Sequence, residues 1–81
     1  MEIKVNLFAA LKEGAGKSEI RLPWQKGINC RDILEELKKR FDTLSGLLEH
    51  SLVAVNGNYA EPGMMLMPED EVAVLPPVSG G

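Results

Sequence analysis

Ile3, Val5 and Leu7 alternate with Glu2, Lys4 and Asn6, the two-residue period of a strand with one buried face. Continuing the alternation turns Phe8 outward, opposite in parity to the three apolar residues. The pattern breaks at Glu13-Gly14-Ala15-Gly16. It resumes as Ser18, Ile20 and Leu22 against Glu19 and Arg21, stopping at Pro23, and the two runs predict an antiparallel hairpin with a long connection. The period then changes. Ile33, Leu34, Leu37 and Phe41 recur at helical spacing with Glu35, Glu36, Lys38, Lys39 and Arg40 turned outward, and Asn29 with Asp32 three residues on predicts the N-cap.

Beyond this main helix, the Leu44, Leu47, Leu48 cluster around Gly46 predicts a short helical turn closing one end of the core. Leu52-Val53-Ala54-Val55 reads as a strand, and Asn56-Gly57, both tolerant of positive φ, predicts a tight hairpin into Asn58-Tyr59-Ala60. Pro62-Gly63 and Pro68-Glu69-Asp70 punctuate the next stretch. Glu71-Val72-Ala73-Val74-Leu75 is a last strand ending at Pro76, with Val72 and Val74 on one face and Ala73 and Leu75 on the other. Two strands, a crossover helix and further strands pack most simply as one mixed sheet curled around one helix. The expected fold is α+β, a β-grasp or ubiquitin-like domain over residues 1–75, followed by a flexible tail over 76–81.

A chain of 81 residues supports one modest core and no deep enclosed cleft, so demanding chemistry needs a partner. The net charge of −3, with lysines and arginines scattered, leaves no basic face for nucleic acid. Cys30 is the single cysteine, which excludes an internal disulfide and a thiolate zinc cluster and suggests a cytoplasmic protein. No run reaches signal-peptide or membrane-spanning length, so neither secretion nor membrane insertion is expected.

Several motifs invite chemical readings that the residues do not sustain. Gly14-Ala15-Gly16-Lys17-Ser18 contains the Gly-Lys-Ser of a phosphate loop, but Leu11 stands where that pattern needs glycine and the following residues alternate like a strand. Cys30 sits near a helix N-terminus, yet His50, the only histidine, is distant in sequence, so Cys30 is expected to be a buried bystander. One His, one Cys and scattered carboxylates have no metal-ligand spacing, and no bound metal or cofactor is expected. Met64, Met65 and Met67 read as gap-fillers or a yielding contact surface, and Trp24 as a lid on the core.

The ending carries more. Gly80 and Gly81 lack Cβ atoms, so they could thread a narrow channel and leave the terminal carbonyl open to a nucleophile. Pro76 and Pro77 hold the base extended, and Val78, Ser79, Gly80 and Gly81 reach at most ~14 Å beyond them. Gly81 is therefore the candidate reacting residue, and Phe8 and Leu75, both expected to be exposed, are the candidate partner surface beside it.

The opening Val5-Asn6-Leu7-Phe8-Ala9-Ala10-Leu11-Lys12-Glu13, the turn Ala54-Val55-Asn56-Gly57 and the ending Asp70-Glu71-Val72-Ala73-Val74-Leu75-Pro76-Pro77-Val78-Ser79-Gly80-Gly81 together resemble the MoaD/ThiS family of sulfur-carrier proteins, on its molybdopterin branch. The chain departs from the family at Pro68-Glu69, where a glycine commonly precedes the Asp-Glu pair, a difference that bears on the local turn and not on the tail. The resemblance implies that a ubiquitin-activating-like (MoeB-like) adenylyltransferase uses ATP to adenylate Gly81, and that a sulfur donor protein converts it to a thiocarboxylate. It further implies that a large (MoaE-like) subunit of molybdopterin synthase receives the tail and carries the substrate-binding and acid-base residues. A carrier for thiamine or another pathway, a protein modifier joined through an isopeptide bond, and a plain interaction module are the alternatives.

Overall fold

A computed structural model describes residues 1–77 of the chain. Five strands form one mixed sheet in the order β2-β1-β5-β3-β4. They are β1 (Glu2–Leu7), β2 (Glu19–Pro23), β3 (Leu52–Val55), β4 (Asn58–Ala60) and β5 (Glu71–Leu75). The alternation seen in the sequence is the pleat itself: Ile3, Val5 and Leu7, Ile20 and Leu22, Val53 and Val55, and Val72 and Val74 are all buried on one face. β5 occupies the centre, parallel to β1 with Val5 beside Val72, and antiparallel to β3 with Val53 beside Val74. The last strand of the described chain is thus the central one, hydrogen-bonded on both sides.

Helix α2 (Cys30–Arg40) covers the buried face, contributing Cys30, Ile33 and Leu37 to the same core. Its start is the capping box expected from the sequence: Asn29 Oδ1 accepts from the Asp32 amide at 2.9 Å, and Asp32 Oδ2 accepts from the Asn29 amide at 3.0 Å. A 3-10 turn (Asp42–Leu44) and helix α3 (Ser45–Glu49) follow, and Leu44 and Leu48 close the core as their clustering predicts. Asn56 and Gly57 both adopt positive φ, 51° and 88°, completing the β3–β4 hairpin.

The connection between β1 and β2 differs from the long hairpin loop expected of it. It contains helix α1 (Ala9–Ala15), which buries Leu11 alone and ends at Gly16, whose φ of 72° and amide bond to the Lys12 carbonyl make a left-handed cap. Phe8 occupies the N-cap position without a side-chain capping bond, so Gly16 at the other end was the one cap signal and periodicity added none. Packing supplies what propensity does not, because Gly14 sits so close to Leu44 that an added Cβ would strike its side chain.

The segment after β4 is stitched to the start of α2. The amides of Cys30 and Arg31 donate to the carbonyls of Met64 and Pro62, the Leu66 amide donates to the Ile28 carbonyl, and Trp24 Nε1 donates to the Leu66 carbonyl at 2.8 Å. Leu66 is buried between exposed Met64, Met65 and Met67, so these methionines present a surface and do not fill gaps. Trp24 packs against the core as the expected lid.

Candidate functional site

The pleat that buries Val72 and Val74 sends Ala73 and Leu75 to the opposite, outer face of the sheet. Register decides their neighbours. Leu52 lies beside Leu75, and Ala54 lies beside both Ala73 and Tyr59. On the other flank the parallel pairing of Leu7 with Val74 brings Phe8, one residue beyond β1, to the level of Leu75. The result is an apolar area built from β3, β4, β5 and the end of β1 at the point where β5 passes into Pro76 and Pro77. Tyr59 is 75% exposed, Leu52 57% and Phe8 45%. Leu75 is half-buried, a correction to its expected exposure that follows from its pairing with Leu52 on the central strand.

Toward β2 the same face becomes charged. Lys4 Nζ lies 3.5 Å from Glu19 and 3.8 Å from Glu71, and Arg21 Nε lies 3.1 Å from Glu19. Their half-exposed side chains stabilise the fold little, since exposed ion pairs contribute about 0–1 kcal/mol. They give the apolar area a polar margin on its β2 side, as the rim of a protein-binding surface has.

The candidate site residues fall into two groups. Phe8 and Leu75 stand together on this face, and Pro76 and Pro77 continue from it, Pro76 half-buried and Pro77 exposed. Val78, Ser79, Gly80 and Gly81 lie outside the described residues. Ala73, expected on the face of Leu75, belongs to the same surface, as do Leu52, Ala54 and Tyr59, which were missed. Their signal was present: the Asn-Gly turn sets the β3–β4 register, and parity then places Leu52 and Ala54 outward.

The other chemically suggestive residues are occupied structurally. Cys30 is fully buried, and burial first and the Asp70 carboxylate second push its thiol up, opposing thiolate formation. Gly16-Lys17-Ser18 lies at the C-terminal end of α1 and leads into β2, so no helix N-terminus faces a phosphate there. Among the described residues no group of three or more His, Cys, Asp or Glu side chains could hold a metal, and no helix is long and apolar enough to cross a membrane.

The ThiS family model matches residues 5–81. A molybdopterin synthase sulfur carrier subunit from Dictyostelium discoideum is 37% identical over 84 residues, covering 99% of this chain and 96% of that protein. Among solved structures, the small archaeal modifier protein SAMP1 from Haloferax volcanii superposes with a TM-score of 0.85 at 31% identity, over 100% of both chains. A protein–protein complex of subunits 1 and 2 of the molybdopterin-converting factor from Helicobacter pylori contains the same fold, with a TM-score of 0.70 at 20% identity and 100% of both chains covered.

Proposed function

The chain belongs to the ThiS family, and on that premise we propose that it is the sulfur-carrying small subunit of a molybdopterin synthase. The observation that carries this reading is the apolar face of Phe8, Leu52, Tyr59 and Leu75 at the base of the Pro76-Pro77 segment, which combines a docking surface with the launch point of the tail. Gly81 is the reacting residue. Its carboxylate is a poor acyl donor because the leaving group would be oxide, so a MoeB-like adenylyltransferase first joins it to AMP, releasing pyrophosphate from ATP. Sulfide then displaces AMP and leaves a thiocarboxylate directly, whereas the outer sulfur of a donor protein's persulfide displaces AMP to give an acyl disulfide, from which a second thiol releases the thiocarboxylate as a new disulfide forms. The sheet face docks on a MoaE-like large subunit, the tail enters its active site, and the sulfur attacks cyclic pyranopterin monophosphate. Substrate binding and proton transfer belong to that partner, in keeping with a domain too small to build a deep enclosed cleft of its own.

The test is the intact mass of the chain after incubation with ATP, the activating enzyme and a sulfur donor. A rise equal to the difference between sulfur and oxygen, lost on deletion of Gly81, is the expected result. An unchanged mass, with the activating enzyme competent on its own carrier, would overturn the reading. The likeness to SAMP1 favours one second reading, a protein modifier whose Gly81 carbonyl is transferred to a lysine of another protein. Peptide mapping would then find the terminal Gly-Gly on target lysines, whereas a carrier places sulfur in a small molecule.

A further inference from the structure

β2 is an outermost strand, and its hydrogen bonds to β1 use alternate residues. The Leu7 amide donates to the Ser18 carbonyl and the Trp24 amide to the Met1 carbonyl, which sets the bonded pairs at even-numbered positions of β2. Glu19, Arg21 and Pro23 therefore turn their backbone groups to the open side, offering two N–H donors and, because proline has no N–H, three carbonyls. An edge of this kind is a template for another strand.

Beside that edge, between the end of β2 and the flank of α2, lies an open groove of about 440 Å³. Leu22, Pro23 and Ile28 contribute its apolar lining, and Lys26 and Lys39 stand among its charged residues. The charges are not equivalent. Of the groove's carboxylates, Glu35 is paired with Lys38 at 3.2 Å, Glu36 with Arg40 at 3.1 Å, and Asp32 is committed to capping α2. Among the described residues Lys26 and Lys39 have no carboxylate within ion-pair distance. Among the described residues the groove thus has two lysines without an ion-pair partner, against the single unpaired carboxylate of Asp32, next to a row of backbone groups that β1 leaves unpaired.

We infer that the β2 edge and the adjoining groove form a second docking site, which takes an extended peptide segment of a partner protein bearing acidic residues. The segment adds to the sheet as a sixth strand through the backbone of Glu19 and Arg21, seats apolar side chains against Pro23 and Ile28, and places its carboxylates against Lys26 and Lys39. The site is built from the sheet edge and the helix flank, not the outer face, so a chain docked through Leu52, Tyr59 and Leu75 keeps it free. It does not depend on Gly81 chemistry.

The experiment is a titration of the 15N-labelled full chain with a synthetic blocked peptide, Val-Thr-Val-Thr-Asp-Asp-Glu, up to peptide concentrations on the order of 1 mM, the range of weak single-motif binding. Expected are shifts at the amides of Glu19, Arg21, Lys26, Ile28 and Lys39, slowed hydrogen exchange at Glu19 and Arg21, and at least tenfold weaker binding when the acidic residues are replaced by lysine. The double variant Lys26→Glu, Lys39→Glu should lose at least tenfold in affinity. Arg21→Pro, which removes an outward donor and leaves the β1 bonds in place, should weaken binding as well. Absence of shifts, shifts centred on Leu52, Tyr59 and Leu75, or an affinity unchanged by the double charge reversal would each overturn the inference.

Discussion

Glu69 is the residue whose type least suits its backbone. Its φ of 77° lies in the left-handed region, which costs an L-residue roughly 1–2 kcal/mol and costs glycine almost nothing. The residue lies in Pro68-Glu69, where the sequence departs from the pattern it otherwise resembles, and its backbone takes the angle that glycine adopts without cost. The turn is held instead by Asp70, whose carboxylate accepts from the Met67 amide at 2.7 Å and from Asn56 Nδ2 at 3.0 Å. Glu69→Gly is therefore expected to stabilise the protein by about 0.5–1 kcal/mol, after the extra freedom glycine gives the unfolded chain is subtracted. A higher urea midpoint at unchanged slope would agree, and a lower midpoint would refute it. The conflict was legible in the sequence as a departure from pattern, but its sign needed the backbone angle.

Among the elements, the β3–β4 hairpin and β5 depend on each other through Asn56. Its backbone amide donates to the Glu71 carbonyl at 2.8 Å, its side-chain oxygen accepts from the Glu71 amide at 3.0 Å, and its side-chain amide donates to Asp70. The residue that makes the turn thus also sets where the central strand begins. Asn56→Ala should cost about 2 kcal/mol, from two lost hydrogen bonds and a left-handed backbone that alanine resists. Asn56→Gly, which relieves the backbone but not the bonds, should fall between wild type and alanine in chemical denaturation; equal stability of all three would refute the clamp. The turn was legible because Asn-Gly is a local signal. The clamp was not, since it joins residues 14 and 15 positions apart. Helix α1 was invisible for a related reason, with one buried side chain, no side-chain bond at its N-cap, and Gly14 accommodating Leu44 from the 3-10 turn.

For the molecule as a whole, the sheet separates two tasks by face. One face, with α2, makes the core. The other presents Phe8, Leu52, Tyr59 and Leu75 beside the start of the tail. Because Tyr59 and Phe8 are exposed, truncating either should change stability by no more than about 0.5 kcal/mol, whereas anchors at the centre of an interface carry much larger binding losses. Phe8→Ala and Tyr59→Ala are each expected to weaken assembly with the large subunit at least tenfold, about 1.4 kcal/mol, at unchanged melting temperature. Leu75→Ala should do the same with a small loss of stability, because Leu75 is half-buried. Calorimetric titration against the purified large subunit checks this, and unchanged affinity in all three variants would remove the face from the interface.

The strands, the main helix with its capping box, the hairpin turn and the β-grasp arrangement followed from sequence alone, because each rests on a short-range pattern: a period of two, a period of 3.6, or a residue suited to one backbone angle. The Gly-Gly ending was equally local, and the family resemblance joined it to the opening of the chain and the Asn-Gly turn. Tertiary structure decided the rest. Strand order put β5 between β1 and β3, register put Tyr59 and Leu52 on the same surface as Leu75, and packing against Leu44 shaped the setting of α1. These are contacts between residues far apart in the chain. One sequence carries no pairwise signal for them, and a one-residue change of register would have turned the same outer-face side chains into the core.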